Sequence, residues 1–222
     1  MVKSMQEMRD GDYYGAWCNF ERMEIAIDGL RSNAFFEGGE FEIAKLSKQV
    51  KFWQGIFPYK VFMSPEFVIK KATCSICKAI VDPWEKCDHK VGKVYSGEMC
   101  CRVIEEANFL SISIVLDPVQ KYSVAFVRDE SGNDQFNYSV VKFVVDRISS
   151  PFGQWSYKLE KAYHSHTFFS EIDPTDSCPC GSGRQYLSCC LLRPGVIRPH
   201  YQIAFKVAPP ADVPTAMFLG YK

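Results

Sequence analysis

The sequence predicts a mainly β chain of the α+β class: a β-rich main domain over residues 1–170, then a small metal module and a closing strand over 171–222. Three observations predict it. Val, Ile, Phe and Tyr recur in short runs broken by Gly, Pro, Asn and Asp, the pattern of strands and turns. The 10 cysteines gather largely into two clusters. A short polar, proline-containing stretch at 171–177 (EIDPTDS) precedes the second cluster directly, as a domain boundary would.

Taken in order, residues 23–27 alternate Met23, Ile25 and Ile27 with Glu24 and Ala26 and read as a first strand. Phe41, Ala44, Leu46 and Val50 fall at helical spacing, which predicts one helix over 41–52. Strands follow at 59–63 and 67–73. The long run 101–116 sets Ile112, Ile114 and Leu116 at period two and stops at Asp117-Pro118, where proline cannot continue a central strand; it is expected to cross the core. Further strands are expected at 122–127, 137–145 and 155–163, with a loop at 128–135 (RDESGNDQ) whose Gly132 and Asn133 tolerate positive φ. Tyr201, Ile203 and Phe205 alternate in a last strand, followed by an extended proline-containing run.

Composition narrows the function classes. Hydrophobic residues make up 47% of the 222 and charged ones 23%, ordinary globular usage. The 26 Lys plus Arg balance the 26 Asp plus Glu, so no basic block of the kind that neutralises a phosphate backbone is present. Residues 1–15 lack the apolar core of a signal peptide, and no apolar run has the length of a membrane span. A cytoplasmic location without membrane association is the expectation. In that reducing compartment clustered cysteines are better read as metal ligands than as disulfides.

The C-terminal cluster reads Cys178-Pro-Cys180, then Gly181, Ser182 and Gly183, then Cys189-Cys190. Four thiols form the closed donor set of a structural zinc site. Pro179 stiffens the first pair, and the two glycines let the backbone fold back. Adjacent Cys189 and Cys190 would point to opposite faces of a strand, so the chain must bend there; a helical turn over 184–190 is expected to bring both sulfurs to one ion. On these residues, together with Tyr186, the segment 178–190 resembles the SEC-C motif, the zinc-binding module named after the tail of the SecA translocation ATPase. The resemblance implies zinc at Cys178, Cys180, Cys189 and Cys190, and a docking role towards a chaperone or the ribosome. The residues between the cysteine pairs are commonly lysine-rich in that family. Here they include Arg184, Gln185, Leu187 and Ser188, which turns the expectation towards a protein partner.

The middle cluster places Cys74 and Cys77 in a Cys-x-x-Cys knuckle and Cys87 and His89 on one face two residues apart, a Cys3His set for a second structural zinc. Cys100 and Cys101 lie near enough to replace Cys87 or His89. Lys70, Lys71, Lys78, Lys86, Lys90 and Lys93 surround the cluster, but Asp82, Glu85, Asp88 and Glu98 interleave with them, as on a solvated face. Two zinc ions are therefore expected, on an interaction or adaptor protein that docks a protein partner. Two alternatives stand beside this: a nucleic-acid- or ribosome-binding zinc protein, and a hydrolase that would use His164 and His166. Cys18 reads as a small buried hydrophobe.

Overall fold

A computed structural model describes residues 1–32, 42–84 and 87–209. The chain is α+β, with helix and strand in comparable measure, so the sequence reading leaned somewhat too far towards β. It divides into two compact units, Met1–Val145 and Asp146–Lys222. The polar stretch 171–177 falls inside the second of these.

Among the described residues the first unit has four helices. α1 (Val2–Asp10) leads into α2 (Tyr13–Arg31), which starts where the Asp12 carboxylate accepts a hydrogen bond from the Gly15 N–H at 2.8 Å. Such a cap satisfies a backbone donor that the helix leaves open. The strand expected at 23–27 lies within α2. Ala16, Trp17, Phe20 and Ile27 are its buried apolar positions, at helical spacing, while Ile25, one of the alternating residues, faces solvent. α3 (Ile43–Ile56) buries Val50, Trp53 and Ile56; it agrees with the expected helix, of which Phe41 lies outside the described residues.

α4 (Ser139–Val145) replaces the strand expected at 137–145. The Asn137 side chain accepts from the Ser139 N–H at 2.9 Å at its start, and Val141, Phe143, Val144 and Val145 are buried. Tertiary packing of β-branched residues outweighs their modest helix propensity there. An aromatic cluster fills the centre of the unit. The Trp17 ring lies 5.0 Å from Tyr59 and 5.4 Å from Phe57, and its indole N–H donates to the Lys121 carbonyl at 2.6 Å. Burying side chains of this size contributes about 2–3 kcal/mol each before entropy is counted.

From this body extends an antiparallel ribbon, β1 (Phe62–Cys74) with β4 (Arg102–Val115), paired from Phe62↔Val115 to Cys74↔Arg102 with irregularities near Phe67 and Lys71. β1 joins the strands expected at 59–63 and 67–73, and β4 agrees closely with 101–116. Contrary to expectation, β4 does not cross the core: it is exposed along nearly its whole length, in a sheet of two strands. Between the strands, β2 (Val94–Tyr95) and β3 (Glu98–Met99) form a small hairpin. The strand expected at 122–127 amounts to one bridge, Val124 with Phe62. The loop at 128–135 is organised by Asp129 Oδ1, which accepts from Ser131 N–H at 2.9 Å and Asn133 N–H at 2.8 Å.

The second unit pairs β5 (Trp155–His164) with β6 (Val196–Phe205) without interruption, from Trp155↔Phe205 to His164↔Val196. The partner of the strand expected at 155–163 is thus the closing strand. Between them the chain makes a 3-10 turn, His166–Phe169, then the cysteine-rich loop, and a second 3-10 turn at Cys190–Leu192. Phe169, Tyr186 and Val196 form a core together with Cys178, Cys189 and Cys190. The expected extended run beyond residue 209 lies outside the described residues.

Candidate metal centres

The chain from Asp173 to Cys190 folds by local hydrogen bonds. Asp173 Oδ1 accepts from the Thr175 N–H at 2.8 Å, and the Cys178 N–H donates to the Arg184 carbonyl at 2.7 Å, closing the loop that holds the first cysteine pair. Gly181 and Gly183 sit at φ of 78° and 73°, the left-handed region in which a β-carbon is strained, and so turn the chain back towards Cys178. A helical turn over 184–190 does not form. Ser177 bridges to Gln185 as a short β pair, a hydrogen-bonded turn follows in which the Cys189 N–H donates to the Tyr186 carbonyl at 3.1 Å, and the 3-10 turn Cys190–Leu192 begins only at the last cysteine. The bend required by two adjacent ligands is present, made by the turn instead of a helix.

The result brings the sulfurs of Cys178, Cys180, Cys189 and Cys190 within 4.8 Å of one another. Thiolates around an ion at the usual zinc–sulfur distance of about 2.3 Å form a tetrahedron with edges of about 3.8 Å. The Cys180 and Cys189 sulfurs stand 3.7 Å apart, a match for such an edge and far too long for a disulfide. Burial pushes the Cys178 thiol up to about 12. Burial also acts against Cys180, but hydrogen bonds from Ser182 and Cys178 outweigh it and bring that thiol down to about 6. Four thiols this close cannot all ionise unless a cation lies among them. The donor set therefore fits a metal ion, which would cross-link the loop as a structural tie and supply no further chemistry.

Tyr186 and His166 lock this loop in place. Tyr186 is buried, and its hydroxyl meets His166 Nδ1 at 2.5 Å; His166 Nε2 meets the Arg193 carbonyl at 2.8 Å. A carbonyl only accepts, so Nε2 carries the proton, Nδ1 accepts, and the Tyr186 hydroxyl donates. Both ring nitrogens of His166 are thus engaged in holding the module together. That employment leaves neither nitrogen free to act as a general base, and the role was not visible in sequence because its partners lie 20 and 27 residues away. His164, on β5, faces His200 of β6 with ring centroids 5.6 Å apart. Cys18, on α2, has its thiol raised by burial, the opposite of what a nucleophile needs.

The middle set lies where β1 ends. Cys74 is the last residue of β1, Cys77 follows in a tight turn, and Cys87 and His89 come from the loop before β2. Their four ligand atoms also lie within 4.8 Å of one another. N–H groups of Cys77 and Ile76 stabilise the Cys74 thiolate and bring it down to about 6. His89 Nδ1 is buried without a hydrogen-bond partner, while its ring rests edge-on against Tyr95 at 4.6 Å. A buried imidazole nitrogen left without a partner is costly unless an ion takes it, and four ligand atoms this close fit a metal too. Cys100 Sγ lies 3.8 Å from Cys74 Sγ and is a fifth donor in reach, whereas Cys101 is exposed. A cleft of about 260 Å³, lined by Cys74, Cys87, His89 and Cys100 among others, opens beside the set.

These features define an α+β protein with two cysteine-rich donor sets, each able to hold a metal ion. The second has a recognised family: residues 175–192 match the SEC-C motif, and no family model matches elsewhere in the chain. Comparisons with curated proteins and with solved structures gave no match. Among the described residues no helix is long and apolar enough to cross a membrane.

Proposed function

We propose that both donor sets hold zinc and that the protein is a cytoplasmic adaptor, docking a protein partner through its SEC-C-like module. The observation that carries this reading is the closure of the second set. Its four thiols complete the coordination of a structural zinc, Cys178 and Cys190 are 1% exposed, and no position is left for a substrate. A site of this kind shapes a surface. What it presents is Arg184, Gln185 and Ser188 around Leu187, which is 50% exposed, with Leu192 beyond it at 80%. Exposed leucines beside few cations suit a protein surface better than a phosphate backbone, whose binding rests on salt-sensitive basic contacts.

The test is a pair of substitutions that leave the zinc ligands alone, Leu187→Asp with Leu192→Asp. A partner recovered with the intact chain and then purified should bind the double variant at least about ten-fold more weakly, the effect of losing one contact of moderate worth. Equal affinity would remove the module from docking. Binding of RNA or DNA at low salt that weakens steeply as salt is raised would transfer the function to the nucleic-acid alternative.

A further inference from the structure

The β1–β4 ribbon is two-faced. Alternation along β1 sets Met63, Pro65, Phe67 and Ile69 on one side, and the register places Ile114 opposite Met63, Ile112 opposite Pro65, Phe109 opposite Phe67 and Ala107 opposite Ile69. The Phe67 and Phe109 rings meet at 5.8 Å across the strands. The other side carries Ser64 opposite Ser113, Glu66 opposite Ser111 with a hydrogen bond of 3.0 Å, and Val68 opposite Asn108. This is the pattern of a sheet with a core on one side and water on the other. Yet the apolar side is open: Phe67 and Ile69 are each 50% exposed, Phe109 56%, Ile112 57% and Ile114 73%.

We infer that this apolar face is a homodimer interface, covered by the same face of a second copy of the chain. Area is the first argument. Side chains of this size have roughly 150–200 Å² each, so six of them about half exposed leave about 600 Å² of apolar surface. A patch of that extent is at the upper limit of what monomers tolerate in water. Two such faces together would bury about 1,200 Å², the lower bound of the standard specific interface. Chemistry is the second. None of these eight positions carries a charge or a hydrogen-bonding side chain, so nothing at them would steer or select a polar partner. Homodimer interfaces are more apolar than transient ones, and this face is apolar at every one of those positions. A two-fold axis through the ribbon would set the face against itself, each Phe109 packing into the other copy's face as an isologous contact. The face, not the strand edge, is the docking element, since Pro65 removes one backbone donor from β1.

The dimer is separate from the SEC-C-like module and does not depend on what the module docks. The test uses the full, zinc-loaded chain under reducing conditions, in sedimentation velocity over a roughly hundred-fold concentration range, where a dimer shifts by mass action. The mass should rise to that of two chains. Phe109→Glu and Ile112→Glu each place a charge in the buried face and should weaken the dimer by at least about a hundred-fold. Both side chains are more than half exposed in the single chain, so the fold, followed by far-UV circular dichroism and zinc content, should not change. Ser113→Lys, on the polar side, should leave the dimer intact. A monomer at every concentration overturns the inference whatever else covers the face. A dimer that survives both glutamate variants overturns it too, because the copies would then meet elsewhere.

Discussion

At the residue scale, charge and hydrogen bonding were hidden from the sequence wherever partners come from distant segments. In the sequence Glu24 is the polar member of an alternating run over 23–27. In the structure it sits on α2, where Lys121 ion-pairs with it and the Gln54 amide donates to it at 3.0 Å. Burial raises this carboxyl, but the bonds from Lys121 and Gln54 outweigh it and hold it below its ordinary value of 4.5. The sign follows. A carboxyl whose folded value is depressed contributes stability that is present above the unfolded value and lost as pH falls through the lower folded one. The Lys121 side chain is 27% exposed and that of Glu24 25%. Solvent screening thus limits the contribution to about 1 kcal/mol or less. Glu24→Gln should therefore lower the melting temperature at neutral pH and flatten its decline below about pH 4.5, where protonated Glu24 no longer contributes. Parallel melting curves for the two proteins across the acid limb would show that Lys121 does not stabilise the fold through Glu24.

At the element scale, the ribbon, the cysteine motifs and α3 were legible, and α1, α2 and α4 were not. The period-two run 101–116 marked β4 closely, because a two-stranded ribbon with one apolar face writes its alternation into the sequence. Sequence could not say that nothing covers it. Residues 23–27 misled because five residues of alternation are also five residues of a helix face, and the decisive spacing runs through Ala16, Trp17, Phe20 and Ile27. The Val-rich segment at 139–145 has the propensity of a strand, but burial of Val141, Phe143, Val144 and Val145 decides for a helix. The metal sets differ at this scale as well. Three of the four C-terminal thiols are buried in the core of their own unit, whereas Cys77 is exposed and a cleft opens beside Cys74 and Cys87. A chelator should consequently remove metal in two phases, the fast one from the middle set, with the 74–101 segment losing amide protection before the C-terminal loop does. Cys74→Ser with Cys87→Ser should abolish the fast phase. Its persistence in that variant would reverse the order.

At the scale of the whole molecule, the two donor sets fall in different compact units, and each ties a long excursion between paired strands: residues 75–101 between β1 and β4, and 165–195 between β5 and β6. These excursions bury few apolar side chains besides their cysteines, and a structural zinc supplies folding free energy directly, so each has a reason to carry its own ion. The spacing of the cysteines announced this arrangement; the identity of the strands that each site closes required the register. Purified from a zinc-replete source, the intact chain should contain two zinc ions by elemental analysis. Cys178→Ser with Cys189→Ser should leave one, and so should Cys74→Ser with Cys87→Ser. Replacing zinc by cobalt distinguishes the sites further: the C-terminal set should give the spectrum of four thiolates, and the middle set that of three thiolates with one imidazole, shifting on His89→Ala and not on Cys100→Ser. If Cys100→Ser moves the spectrum and His89→Ala does not, the fourth ligand is the thiol 3.8 Å from Cys74, and the buried Nδ1 of His89 lies outside the first coordination sphere.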